Sequence, residues 1–362
     1  MRGSDMDKKE KNISFIWLKF IPVLLVVGIL CTVLGAGPFS KEQGTRYKNH
    51  YNPAYDYITE PENTIDIACI GSSDIFTSFC PQYLFEEYGY TAVDIGMSYQ
   101  TPTRSYYFLE DLLKTQSPKV LILDTDMLYE HFPTKAGIEE INAQGEKSAW
   151  EKFTDRQEKF FARFSDSRFS DIITSYFTIF QFNDHWKQTK YFMPGELIGS
   201  YTKEAEYPCE HGFKCNTDVV AAKKSPYLKE TDTVEEIDDE YMIYYQKIID
   251  LCKEKGIEVI LVESPSVRSW SYQRHNAAQI IADENELEFI DFNFLLDEIN
   301  LNLKKDFSDG KNHLNYEGAK KMTAYLGDKF RSEGLFTDKR NDPDYEYYAK
   351  SVEEFKEKYE VK

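Results

Sequence analysis

Five short apolar runs constrain the fold more than any other feature of the chain. They are residues 65–71 (IDIACIG), 92–97 (AVDIGM), 119–126 (KVLILDTD), 258–264 (EVILVES) and 288–293 (EFIDFN). Each has strand length and is rich in aliphatic or β-branched residues, and most alternate too little for a half-exposed sheet. Runs of this kind belong to strands buried on both faces, as in parallel sheets. Segments of helical pattern lie between them. PQYLFEEYG follows the first run and RSYYFLEDLLKTQ the second. DDEYMIYYQKIIDLCKEKG leads into the fourth, with Gly256 as its stop, and RHNAAQIIADENE leads into the fifth. Alternating strands and helices predict a doubly wound α/β fold, a three-layer αβα sandwich on a mostly parallel sheet. Sites in such sheets form beyond the carboxyl ends of the strands.

The chain has 362 residues, of which 41% are hydrophobic and 15% aromatic, ample for a large core. The formal net charge of -19 argues against nucleic acid as a partner, because phosphate backbones demand Lys/Arg surfaces. Six cysteines include no CxxC pair, so neither a zinc ribbon nor a thioredoxin-type motif is supported. Cys209 and Cys215 are near enough in sequence to bridge across a loop in an oxidising compartment, or to remain free thiols.

Lys8, Lys9 and Lys11 precede an apolar stretch at 20–39, with the leader-like MRGS at the start set aside. Crossing a bilayer takes about 20 apolar residues, and preceding lysines favour a cytoplasmic N-terminus. The reading is a single-pass anchor with an extracytoplasmic body; LGA before Gly37 leaves cleavage open. The organisation that follows is a cytoplasmic N-terminus at 1–12, a transmembrane anchor at 13–39 and a polar stalk at 40–63. An α/β domain spans 64–335, with a helical and loop insertion at about 130–230 where the alternation breaks. An amphipathic C-terminal helix occupies 336–362.

Two stretches carry chemistry. GSSD, residues 71–74, ends the first apolar run. A serine there sits at a helix N-terminus, whose N–H groups and dipole favour developing negative charge. The same pattern also describes a tight turn with an N-cap serine. The second stretch is DFSDGKNHLNYEGAKKMTAYL, residues 306–326. It sets His313 in a loop before a helix capped by Asn315, with Asp309 and Asp306 upstream. Such an acid can fold back onto one imidazole nitrogen, fix the tautomer and leave the other nitrogen to deprotonate a serine. Arg268 and Trp270 lie beyond the fourth strand and are candidate substrate-binding residues. Arg274 and His275, near a helix start, suit an anionic or sugar substrate or simply an exposed helix end.

Taken together, GSS after the first strand and D…HLN before the last helix resemble the SGNH/GDSL hydrolase superfamily. The chain looks most like the exported SGNH-like proteins of cell-surface polysaccharide and teichoic acid acylation, the D-alanyl transfer protein among them. The resemblance spans residues 65–326 and includes LVESPSVRSWSYQRHNAAQIIADENELEFIDFN. It implies a flavodoxin-like SGNH fold, no metal or organic cofactor, and a serine acyl-enzyme. On the matching positions it implies Ser73 as nucleophile, Ser72 as a turn or cap residue, and His313 as base. The family acid three places before the histidine falls on Gly310, so Asp309 is taken as the acid and Asp306 as its reserve. The implied oxyanion residues are Ser73 itself, Gly96, Tyr99 where the family has glycine, and Asp126 where it has an asparagine donor. A carboxylate at 126 would repel an oxyanion unless protonated. The expected activity is membrane-anchored, extracytoplasmic O-acyl transfer or ester hydrolysis on a cell-surface polysaccharide. Its expected partners are an envelope glycan or acyl donor and a membrane-bound O-acyltransferase. The alternative is a catalytically degenerate assembly protein that binds a glycan or such an acyltransferase.

Overall fold

The computed structural model describes residues 20–31, 33–34, 56–57, 60–129, 209–223 and 228–361. The stretch at 1–12 expected to be cytoplasmic, most of the expected stalk at 40–63 and the aromatic stretches of the insertion lie outside the described residues. The chain falls into two compact units, Met1–Tyr51 with Arg168–Ala205, and Asn52–Ser167 with Glu206–Lys362. In the first unit, the described part of the apolar segment is helical at 20–31 and 33–34, with Leu24 and Leu25 exposed. Among the described residues no helix is long and apolar enough to cross a membrane.

The second unit carries the sheet. Its strands are β1 (Ile67–Gly71), β2 (Ala92–Gly96), β3 (Val120–Asp124), β4 (Glu258–Glu263) and β5 (Glu288–Asp291). They pair in the order β2-β1-β3-β4-β5, all parallel. All five apolar runs are strands; β1, β2 and β3 are buried throughout, β4 is buried except at Glu258, and the edge strand β5 is exposed at Glu288 and half-buried at Phe289. The order reverses direction between β1 and β3, and the crevice at that switch point is where ligands of such sheets bind.

The helices are α1 (Ser73–Phe76), α2 (Pro81–Tyr88), α3 (Pro102–Leu112), α4 (Asp239–Lys255), α5 (Tyr272–Asn285), α6 (Tyr316–Glu333) and α7 (Glu346–Tyr359). Alternate side chains of each strand enter opposite cores. Ala68 and Ile70 pack with Leu109 of α3, Ile248 of α4 and Ala278 of α5. Ile67 and Cys69 pack with Leu84 of α2 and with Met322 and Leu326 of α6. The result is three layers, helix on sheet on helix.

The edge strand β2 is covered rather than left open. The Tyr348 hydroxyl of α7 donates to the Ala92 carbonyl at 2.7 Å, and the Asp94 amide donates to the His211 carbonyl at 2.9 Å. His211 itself joins Glu60 through Nδ1 and Ser351 through Nε2, both at 2.5 Å, and stacks on Tyr348 with ring centroids 3.9 Å apart. This is a Ser-His-acid set by connectivity. All three residues are buried, His211 completely, so no substrate reaches it. It ties the segment before β1, the return from the insertion and the C-terminal helix to one another.

Gly71 ends β1 against Asp124 of the neighbouring strand. A Cβ on Gly71 would lie 2.1 Å from Asp124 Cβ, which no rotamer relieves. Gly71→Ala is expected to cost about 1–3 kcal/mol through overpacking, read from a urea unfolding midpoint at unchanged m-value. Unchanged stability would mean that the two strand ends separate more easily than this packing implies.

Candidate active site

The site grows from three strand ends and one loop. After Gly71 the chain turns sharply, and Ser72 becomes the N-cap of α1, its Oγ accepting from the Asp74 amide at 3.4 Å. That leaves Ser73 as the first helical residue, half-buried beyond the end of β1. The helix behind it is a single turn, Ser73–Phe76. The sequence places the serine at a helix N-terminus, with free N–H groups and partial positive charge. One turn supplies local N–H groups but little macrodipole, because the dipole sums over many aligned peptide units.

His313 comes from a loop closed by a Phe307–Leu314 bridge, with the Ser308 amide donating to the His313 carbonyl at 2.9 Å. Asn315 then caps α6 by accepting from the Gly318 amide at 3.1 Å. Within the loop, Asp309 folds back. Its Oδ1 accepts from the amides of Lys311, Asn312 and His313 at 2.8, 3.1 and 3.2 Å. The turn requires Gly310, which sits at φ +69 where a side chain is strained and where a Cβ would press on the Ala221 carbonyl. A carboxylate at 310 would meet both obstacles, so the acid stands one place earlier.

The remaining oxygen of Asp309, Oδ2, lies 3.0 Å from His313 Nδ1. A carboxylate only accepts, so the neutral ring carries its proton on Nδ1 and turns the lone pair of Nε2 outward. That lone pair meets Ser73 Oγ at 2.9 Å. Burial pushes the His313 pKa below its ordinary 6.5, opposed by the Asp309 carboxylate. The base is therefore neutral at pH 7 and ready to take a proton.

Asp306, the reserve acid, is engaged elsewhere. It accepts from the Asn302 amide and from Lys321 Nζ, both at 2.6 Å, and so anchors the loop's base to α6. Asp126 lies past β3, with its Oδ1 3.5 Å from Arg274 Nη1, and its own amide donates to Asp124. A carboxylate only accepts, so an ionised Asp126 beside that guanidinium would not supply the donor that an asparagine amide would. Gly96 ends β2 with no room for a side chain, since a Cβ would meet Phe76 at 2.6 Å. Tyr99 adopts φ +59, the left-handed conformation that favours glycine, and exposes its ring.

Of the three expected substrate-binding residues, Arg268 is exposed. Trp270 is a correction. It is buried, 2% exposed, and its Nε1 donates to Asp291 at 2.8 Å, so it supports the end of β5 and meets no substrate. His275 also bonds Asp291, at 2.8 Å through Nδ1, with Tyr272, Phe289 and Phe294 packed around its ring. Arg274 spans Glu235 at 3.0 Å and Asp126 at 3.5 Å, and its guanidinium lies over Tyr129 at 4.3 Å. Two carboxylates already balance that cation, which reduces its value for an anionic ligand.

Sequence reasoning passed over three acids. Asp124 receives the Ser72 amide on Oδ2 at 2.7 Å and the Asp126 amide on Oδ1 at 3.1 Å. It thereby braces the nucleophile turn against the turn after β3. Burial and then the nearby Asp126 push its pKa up to about 7, against the pull of those amides. Asp74, Asp126 and Glu263 have carboxylate oxygens within 4.8 Å of one another, all buried, and among the described residues they form the acidic group close enough to share a cation. Arg274 supplies positive charge to that group, and burial followed by neighbouring carboxylates raises Glu263 well above the usual range. In the sequence Asp124 and Glu263 look like ordinary strand ends and Asp74 like an acid in a first helical turn; only their convergence marks them. Cys209 and Cys215 are free thiols.

No family model matches the chain, and no curated protein matches it. Among solved structures, it is similar to a G-D-S-L-family protein from Desulfitobacterium hafniense described as lipolytic, with 12% identity and a TM-score of 0.35. That similarity covers 73% of this chain and 98% of the other. The chemical reading of the site rests on its own distances.

A hydroxyl held by a neutral, acid-oriented imidazole is equipped for nucleophilic attack on an acyl or phosphonyl centre. Asp309→Ala is expected to slow labelling of Ser73 by a fluorophosphonate probe by roughly 10²–10⁴-fold. Asp306→Ala should instead lower the urea midpoint and leave labelling close to wild type. The reverse pattern would return Asp306 to the role of acid.

Proposed function

We propose that the protein is a serine acyl-transfer enzyme of SGNH type, an esterase or O-acyltransferase, working through Ser73, His313 and Asp309. The observation that carries this reading is the Ser73 Oγ to His313 Nε2 contact of 2.9 Å, backed by Asp309 at 3.0 Å, at the end of β1 beside the switch point. In the reaction Ser73 Oγ attacks the ester carbonyl carbon as its proton passes to Nε2. The tetrahedral adduct collapses, the C–O bond to the leaving alcohol breaks, and that alcohol takes the proton from Nε2. Water or a sugar hydroxyl then gives its proton to Nε2, attacks the acyl-enzyme and releases Ser73, which takes the proton back. Backbone N–H groups are the oxyanion donors in this scheme, the Tyr99 amide among the candidates.

We place this chemistry outside the cell, on a cell-surface polysaccharide, with the chain anchored through its N-terminal apolar segment. The lysines ahead of that segment and the motif resemblance support this assignment. A membrane-bound O-acyltransferase is the fitting source of acyl groups. One observation favours the second reading, a binding protein that has lost catalysis: Asp126 stands where an amide donor would help, and its carboxylate is paired to Arg274.

The two readings separate on turnover of a nitrophenyl acetate and on fluorophosphonate labelling. The enzyme reading expects both in the wild type, and neither in Ser73→Ala. Labelling that survives this change sinks the triad; a wild type inert toward several esters yet binding glycan supports the assembly role. The pH dependence is a further check. The base works only when neutral, and its pKa lies below 6.5, so kcat/KM should rise with pH and level off with a midpoint below 6.5. A rate that falls as pH rises through that range contradicts His313 as the base.

A further inference from the structure

One carboxylate at the site has no part in the triad. Asp74 directly follows the nucleophile and is 1% exposed. Its Oδ1 lies 3.5 Å from His313 Nε2, the nitrogen that faces Ser73 Oγ. Asp309 occupies the other nitrogen. The imidazole is therefore flanked by an acid on each side. An acid in the first turn of a helix also has an ordinary explanation, a favourable contact with the free N–H groups there. The distance to Nε2 and the setting of the other charges point further.

Two lysines bear on the ring, Lys214 from the return segment and Lys311 from the histidine loop, and both disfavour its cation, as burial does. Against them stands Asp309, and the Asp74 carboxylate lies 3.5 Å from Nε2. Behind Asp74, Asp126 is offset by Arg274, and burial followed by neighbouring carboxylates raises the Glu263 pKa well above the usual range. Once Nε2 has taken the serine proton, the new cation sits 3.5 Å from the buried Asp74 carboxylate, on a ring that is itself partly shielded from water, where Coulomb attraction is stronger than in bulk water.

We propose that Asp74 is a positioning residue for His313: its carboxylate balances the imidazolium formed at Nε2 and keeps that N–H directed at the Ser73 side until the leaving alcohol takes the proton. The proposal deepens the acyl-transfer reading and rests on His313 as its base. In the resting enzyme Asp74 makes His313 a stronger base than burial alone would allow. During turnover it shortens the range of orientations open to the charged ring.

The test reads His313 directly and needs no substrate. The full-length chain, labelled with ¹³C at histidine Cε1, is titrated by NMR, and His313→Gln identifies the resonance. In Asp74→Asn the His313 midpoint is expected to fall by about one pH unit, the size typical of losing a close opposite charge. Asp74→Glu should restore much of that shift, while the His275 midpoint stays in place. An unmoved His313 midpoint in Asp74→Asn overturns the proposal, as does an equal fall in Asp74→Glu. Should Asp74→Asn not fold, Asp74→Ser, whose hydroxyl also suits a first helical turn, gives the same reading. A wild type that turns over no ester would sink the acyl-transfer reading while leaving the midpoints to decide Asp74.

Discussion

The carboxylate of Asp124 is the point on which the site depends. It joins two turns that the sheet brings together but does not itself connect. One oxygen holds the amide of Ser72 and the other the amide of Asp126. Gly71 makes the approach possible by leaving the space that Asp124 fills. Two backbone donors on one acid favour its charged form, because hydrogen bonds to an ionised acceptor are roughly twice as strong as neutral ones. Here it offsets part of the penalty for burying the charge. The consequence is geometric: Ser73 leaves β1 in one direction only, toward the loop that carries His313.

That loop is held from the opposite side by the segment returning from the insertion. The Lys214 amide donates to the Phe76 carbonyl at the end of α1, the Val220 amide to Phe307, and the Ala222 amide to Leu303. One stretch of chain thus runs from the nucleophile's helix to the base's loop. It sets the Ser73–His313 distance through backbone hydrogen bonds, which are shorter-ranged and more directional than packing. The same segment covers the edge strand β2 through His211. Site geometry and edge protection are therefore served by one piece of chain.

Electrostatics gives the site its second layer. Several acids converge at the C-terminal ends of β1, β3 and β4, and burial alone would make their shared ionisation costly. The arrangement distributes the load. Asp124 meets two amides, Asp126 meets Arg274, burial and neighbouring carboxylates raise Glu263 well above the usual range, and Asp309 faces the Nδ1 of His313. Carboxylates placed to meet a transient cation are useful in catalysis, since they strengthen when the charge appears.

The amino-acid pattern by itself determined the strands, because near-continuous apolar runs have no stable place except a sheet buried on both faces. It determined where helices stop, as at Gly256, and that Asn315 would cap the helix after His313. It singled out Ser73 and His313 as the pair worth testing. It did not decide between Asp309 and Asp306, because both lie within reach of a folded loop; the left-handed turn at Gly310 and the hold of Lys321 on Asp306 decided that. Nor did it foresee that Trp270 would be buried as a support for Asp291, since an aromatic beyond a strand end reads alike whether it faces solvent or core. Asp74, Asp124 and Glu263 gave no local signal. Their meaning is a matter of distance between strand ends far apart along the chain, and only the tertiary structure supplies that distance.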